Sequence, residues 1–258
     1  MRMARSPTPG LLISVLLVVI VLVATLRRSE SPRQQRLSTH APASETGRHY
    51  GAANQSGQDG VFGQAEKAQP LGGFCETIGV TCSSVYFAQW VPPDAASCSV
   101  VMKSGYQLPD PRCTPGGIDP SVTVDTLRDP RWRTGCIRNC QTSESEKHIA
   151  YAFYNLPRPP VNSGADQVCE LDHLVPLELG GADGMGNIWP ECGSTRVVLN
   201  ERSFKIKDRV ENYLADEVKA GRMPISEAQH GIADDWTQYL EAANRYCDSG
   251  GRCGRGRR

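Results

Sequence analysis

The chain has no excess of charge in either direction: 28 lysines and arginines are matched by 28 aspartates and glutamates. A balanced chain projects no global basic field toward nucleic acid, although a protein acting on nucleic acid needs only a local basic patch. It lacks the C-x2-C pairs that would cage structural zinc on two sides. The nearest approach is Cys136-x3-Cys140, followed by the isolated Cys169 and Cys192, a pattern that favours disulfides over a metal knuckle. Long periodic runs are missing from residues 72–160, where cysteines, prolines and glycines are dense. That excludes a conventional helical or sheet domain there and leaves an irregular, cross-linked region. A good signal-cleavage site is missing too, since a cut after Ala24 would leave Leu22 at the minus-three place.

What is present begins with one uncharged apolar run, residues 11–26, flanked by Arg2 and Arg5 before it and Arg27 and Arg28 after it. It is shorter than the ~20 residues that span a bilayer comfortably and at the upper end of the roughly 7–15 of a signal-peptide core. With no cleavage site behind it, the run reads as an uncleaved transmembrane signal-anchor, with residues 1–10 as the cytoplasmic N-terminus. Flanking charge argues for a cytoplasmic location of the remainder, because Arg27, Arg28, Arg33 and Arg36 outnumber the arginines before the run. The cysteines argue the opposite. All ten lie after the run and their number is even, the usage of an oxidising compartment. We follow the cysteines and expect a membrane-anchored, extracytoplasmic protein, periplasmic or cell-surface. Residues 27–71 are rich in Ser, Gln, Ala, Gly and Pro and read as a disordered linker, in which His40 and His49 are solvated and idle.

In the Cys-rich region, residues 85–91 (VYFAQWV) are the best strand candidate before Pro92-Pro93, and residues 108–123 are mostly turn chemistry. Residues 144–154 read as a short helix with Tyr151, Phe153 and Tyr154 in the core and His148 on its surface. Residues 72–107 suggest no role.

The most informative stretch is CELDHLVPLELGGADGMGNIWPEC, residues 169–192. It opens with alternation: Leu171, His173 and Val175 on one face, Asp172 and Leu174 on the other. Pro176 and Gly180-Gly181 end regular structure, a polar loop runs over 182–186, and a second strand begins at Asn187 and reaches Pro190. An imidazole can take a proton from water near neutral pH, and a carboxylate can hold a hard divalent cation. An Asn amide, which donates and accepts, can brace the intervening loop.

These residues resemble the HNH, or ββα-metal, nuclease motif, with Asp172-His173 as the DH pair and Asn187 as the middle Asn. The segment LPDPRCTPGGIDP upstream and residues 228–236 downstream look like flanking parts of small secreted bacterial HNH proteins, so the resemblance covers roughly residues 108–239. It implies that His173 is the general base, Asn187 the brace and Asp172 a metal ligand. The family's third element is a helix bearing another ligand. A helix is expected over about 203–220, with Ile206, Val210, Tyr213, Leu214 and Val218 at helical spacing and Gly221 as its cap. KDRVEN, residues 207–212, looks like the start of that helix in the small exported proteins. Lys205 stands where His or Asn is expected, and Asn200 is the nearest candidate to complete the shell. The implied cofactor is a divalent cation, Mg²⁺ in the first place with Mn²⁺ or Zn²⁺ as alternatives. The implied partner is DNA, with RNA as the second class; no protein partner is implied.

Setting Cys169 opposite Cys192 in an antiparallel pair places His173 opposite Ile188 and Asp172 opposite Trp189, and predicts a disulfide at the open end of the hairpin. Cys136, Cys140, Cys247 and Cys253 are further disulfide candidates. Residues 224–246 read as a second long helix with Trp236 as core anchor, Asp234, Asp235 and Glu241 facing away, and His230 on the polar face. The tail, 248–258, is arginine- and glycine-rich and reads as disordered.

The expected fold is therefore α+β: an irregular disulfide-rich N-terminal half over 72–160, then an HNH-like nuclease domain over 161–247 with a ββα-metal core and a C-terminal packing helix. The expected activity is metal-dependent phosphodiester hydrolysis. The alternative is a catalytically degenerate nucleic-acid-binding or structural envelope protein on the same scaffold.

Overall fold

Prolines and cross-links, rather than long regular elements, shape the first half of the molecule. The computed structural model describes residues 73–253. The expected signal-anchor, the expected linker with His40 and His49, and the last five residues lie outside the described residues. Helix α1 (Gly73–Thr77) leads into strands β1 (Val85–Tyr86), β2 (Val101–Lys103), β3 (Tyr106–Leu108) and β4 (Gly117–Ile118). Short helices α2 (Val124–Arg128), α3 (Glu144–Lys147) and α4 (Ile149–Phe153) follow. Then come strands β5 (Cys169–His173) and β6 (Ile188–Cys192) and helices α5 (Ser203–Lys219), α6 (Ile225–Asp235) and α7 (Leu240–Asp248). The architecture is a mixed α+β one with three two-stranded antiparallel sheets, β1–β4, β2–β3 and β5–β6.

All ten cysteines are bonded, as Cys75–Cys136, Cys82–Cys140, Cys98–Cys113, Cys169–Cys192 and Cys247–Cys253. The β5–β6 register is the one set by the cysteines: Cys169 faces Cys192, Asp172 faces Trp189 and His173 faces Ile188. Cys136 and Cys140 do not form a unit of their own; each is tied to the start of the described region.

Several elements are shorter than their sequence suggests. The strand expected over 85–91 stops at Tyr86, with one further bond from the Phe87 N–H to the Gly116 carbonyl (3.0 Å). The next residue across is Pro115, which has no N–H to extend the ladder. The turn-rich stretch 108–123 nevertheless contains β4, whose partner β1 lies about thirty residues upstream and is invisible to local patterning. The helix over 144–154 is two helices that meet at His148, with Tyr151 and Tyr154 buried as expected. The second strand starts at Ile188, because Asn187 closes a 3-10 turn.

Helix α5 matches its expected span closely. Ile206, Val210, Leu214 and Val218 are buried in the main core, and Gly221 takes the left-handed conformation just past its end (φ +73°). The long helix over 224–246 is broken. Asp235 leaves helical geometry (φ −161°, ψ 91°), and its carboxylate accepts from the backbone N–H (3.0 Å) and hydroxyl (2.5 Å) of Thr237. An Asp that bonds its own backbone two residues on competes with the helix ladder. Asp235 also pairs with Lys103 at 2.9 Å, so it does not face away. Trp236 is fully buried, and His230 stacks on Phe87 (centroids 4.2 Å apart).

The two halves share one core: Cys75, Val80, Leu108, Val122 and Trp132 pack with Val175, Leu179, Val210, Leu214 and Trp236. The Cys-rich region is therefore part of the same unit as the hairpin and helix, not a domain beside them. The described part of the tail is ordered: Arg252 donates to Asp216 at 2.6 and 3.1 Å within the small Cys247–Cys253 loop.

Candidate active site

Asn187 is completely buried and all its side-chain bonding capacity goes to backbone. Its Oδ1 accepts from the N–H groups of Val175 (2.9 Å) and Gly117 (3.3 Å), and its Nδ2 donates to the carbonyls of Val175 (2.9 Å) and Ala182 (2.8 Å). Two donors and two acceptors are thus satisfied at once, and the loop leaving β5 is fixed to the loop entering β6. Asn187 is a brace rather than a group that could touch a substrate. The double glycine has a matching physical reason. Gly180 is left-handed (φ +75°), and a Cβ on Gly181 would fall on the carbonyl oxygen of Val175.

On one face of β5, the His173 Nε2 lies 3.0 Å from the Asp183 Oδ1. A carboxylate only accepts, so Nε2 carries the hydrogen and the Nδ1 lone pair is left as the base. The same Asp183 oxygen takes the ammonium of Lys147 at 2.9 Å, with the two side chains 0% and 2% exposed. Lys147 is held in turn by Asn139 (2.6 Å) and Glu144 (3.3 Å). Burial lowers the pKa of His173. Asp183 pulls it up, the charges of Lys147 and Arg138 push it down again, and the net direction is down. The imidazole is therefore neutral at neutral pH. Burial works against the Asp183 charge, but the bonds from His173 and Lys147 outweigh it and hold this carboxyl below its ordinary range.

On the other face, the Asp172 Oδ2 accepts from the ammonium of Lys207 at 2.8 Å and from the indole N–H of Trp189 at 3.3 Å. Lys207, fully buried on α5, also donates to Glu211 (2.5 Å) and to the His173 carbonyl (3.0 Å). Burial pushes Asp172 up to about 6 against the pull of Lys207. Burial likewise opposes the charge of Lys207, yet Asp172, Glu211 and Glu191 outweigh it and keep the ammonium above the ordinary lysine range. The pair is ionic at neutral pH. Lys205, where the resemblance places a ligand, bridges Glu170 and Asp208 at 2.9 Å each. Asn200 is exposed on a 3-10 turn, and its backbone carbonyl accepts from Arg209 (3.0 Å).

A divalent cation does not fit these residues as they stand. The Asp172 oxygen that faces α5 is bonded to an ammonium, and among the described residues no group of three or more His, Cys, Asp or Glu side chains is disposed to hold a metal ion. Asp172 and His173 nonetheless both border a hollow of about 60 Å³, with Arg138, Glu170, Asp208 and Glu211 around its rim. A neutral imidazole oriented by a carboxylate, beside an exposed guanidinium, is equipped to deprotonate water and to hold an anion.

The structure brings Asp172, His173 and Asn187 together on the hairpin and leaves Asn200, the expected further ligand, apart from them. Sequence reading misses Asp183, Lys147, Arg138 and the inward role of Lys207. Asp183 was within reach, because it is the one carboxylate in the polar loop 182–186. No family model, curated protein or solved structure matches the chain.

Proposed function

We propose that the chain is an HNH-type endonuclease that hydrolyses phosphodiester bonds of DNA, with RNA as the second substrate class, outside the cytoplasm and tethered to the membrane by its N-terminal segment. The observation that carries this reading is the His173–Asp183 pair on a hairpin braced by an Asn and backed by a helix. His173 Nδ1 takes a proton from water. The resulting hydroxide attacks phosphorus, the bond from phosphorus to the leaving ribose oxygen breaks, and solvent protonates that oxygen. Asp183 keeps the imidazole in the right tautomer and stabilises the imidazolium as it forms. Arg138, at the rim of the hollow, is the group placed to pair with a non-bridging phosphate oxygen. Contacts of this kind read the backbone rather than base edges, so little sequence preference is expected.

A second reading, capture of nucleic acid or an envelope role without cleavage, is favoured by the Lys207 ammonium on Asp172, which takes the carboxylate oxygen that a catalytic cation would need. Incubating the purified, oxidised full-length chain with supercoiled plasmid separates the two. Nicking that is lost in His173→Ala supports the nuclease. Retained binding with no nicking, under any divalent ion or chelator, supports capture.

A further inference from the structure

The Lys207 ammonium has three N–H groups and three oxygen partners: Asp172 Oδ2, Glu211 Oε1 and the His173 carbonyl, at 2.8, 2.5 and 3.0 Å. Two carboxylates and a carbonyl are the hard oxygen donors that a Mg²⁺ or Ca²⁺ would select. A fourth donor waits beside them. Glu191 faces Glu170 across the hairpin, is 0% exposed, and has Asp172, Lys207 and Glu211 as its charged neighbours. Neither of its carboxylate oxygens has a hydrogen-bond partner. Buried polar groups are almost always bonded, so a buried carboxyl with no hydrogen-bond partner and these charged neighbours marks a site arranged around a cation. The oxygens stand at ammonium distances, longer than the 2.0–2.1 Å that Mg²⁺ requires.

We infer that Lys207 is the resident cation of this site: its ammonium occupies the place beside Asp172 that the HNH resemblance assigns to a metal, and the native chain takes no divalent ion there. Lys207 is then a positioning residue. It is fully buried and out of reach of a phosphate, and it ties Asp172 and the His173 backbone to α5. The inference rests on the nuclease reading only for the meaning of the site; the cation itself can be measured without any substrate.

The test is Mn²⁺ binding by electron paramagnetic resonance, together with thermal unfolding, on the full-length chain and its variants. The parent should leave the free Mn²⁺ signal unchanged and show the same Tm in millimolar Mg²⁺, Mn²⁺ or chelator. Lys207→Ala should bind one Mn²⁺ per chain, or fold only when Mn²⁺ is supplied, and adding Asp172→Asn should abolish either effect. A parent that binds Mn²⁺ stoichiometrically and loses it in Asp172→Asn overturns the inference. So does a folded Lys207→Ala that binds none. If Lys207→Ala folds under no condition, the parent measurements decide alone. A parent indifferent to metal that also fails to cut DNA would sink the nuclease reading and leave this inference standing.

Discussion

His173 sits at 3.0 Å from a carboxylate that is itself held by a buried lysine, and each member of that chain has a separable consequence. His173→Ala should lower plasmid nicking by about 10²–10⁴-fold, the usual cost of one positioned base, with the circular dichroism spectrum unchanged. Because burial depresses the His173 pKa, its neutral form persists below the ordinary histidine value of 6.5. The acid limb of the rate profile should therefore lie below pH 6.5. The same depression means that this residue's contribution to stability is fully present above 6.5 and is lost as pH falls through the folded value. A limb at or above 6.5 would assign the base to another group. Asp183→Ala removes the buried partner of Lys147 and leaves it only the exposed Glu144 as counter-charge, at a cost of about 3–5 kcal/mol in urea unfolding. Lys147→Met in the same background should recover part of that loss, since both buried charges are then gone. Lys147 and Lys207 also show why half the site was not legible in the sequence. A lysine in a helical pattern reads as solvated surface, and only tertiary contacts reveal that these two point inward.

Regular short-range structure, by contrast, was readable. Parity along β5 and β6 follows from two cysteines and the period of a strand, and the apolar spacing of α5 follows from the period of a helix. The β1–β4 pairing, its early end and the break at Asp235 depend on a partner strand, a proline opposite, or one carboxylate bonding its own backbone, none of which a periodicity registers. The hairpin itself is testable as an element. Its strands are too short to be stable alone, and the Cys169–Cys192 bond closes a loop with a sequence separation of 23. Replacing both cysteines by serine should cost ~3 kcal/mol in the chain-entropy model, read by denaturant unfolding. Gly181→Ala should destabilise this loop as well, because the added methyl meets the Val175 carbonyl and the backbone must move. Non-reducing peptide mapping that links Cys169 to any other cysteine would contradict the register.

At the scale of the molecule, the cross-links and the shared core make one unit of residues that lie far apart in the chain. Cys75 and Cys82 reach across to Cys136 and Cys140, so the start of the described region is tied to the edge of the hollow. Five disulfides among the described residues are the usage of an oxidising compartment. Among those residues no helix is long and apolar enough to cross a membrane. A fusion of alkaline phosphatase placed after the apolar run 11–26 should therefore be active, since that enzyme folds only where its own disulfides can form. A well-expressed but inactive fusion would reverse the orientation in favour of the flanking arginines.

Arg138 lies midway between Cys136 and Cys140, and each of those cysteines is anchored by its own disulfide. A chain still in the reducing cytosol has neither anchor. Its guanidinium then has nothing to hold it beside His173, and the hairpin that carries the imidazole lacks its own clasp. On the nuclease reading proposed above, the two staples would act as a safety catch: the chain would be harmless to the chromosome of the cell that makes it and armed by the oxidation that follows export.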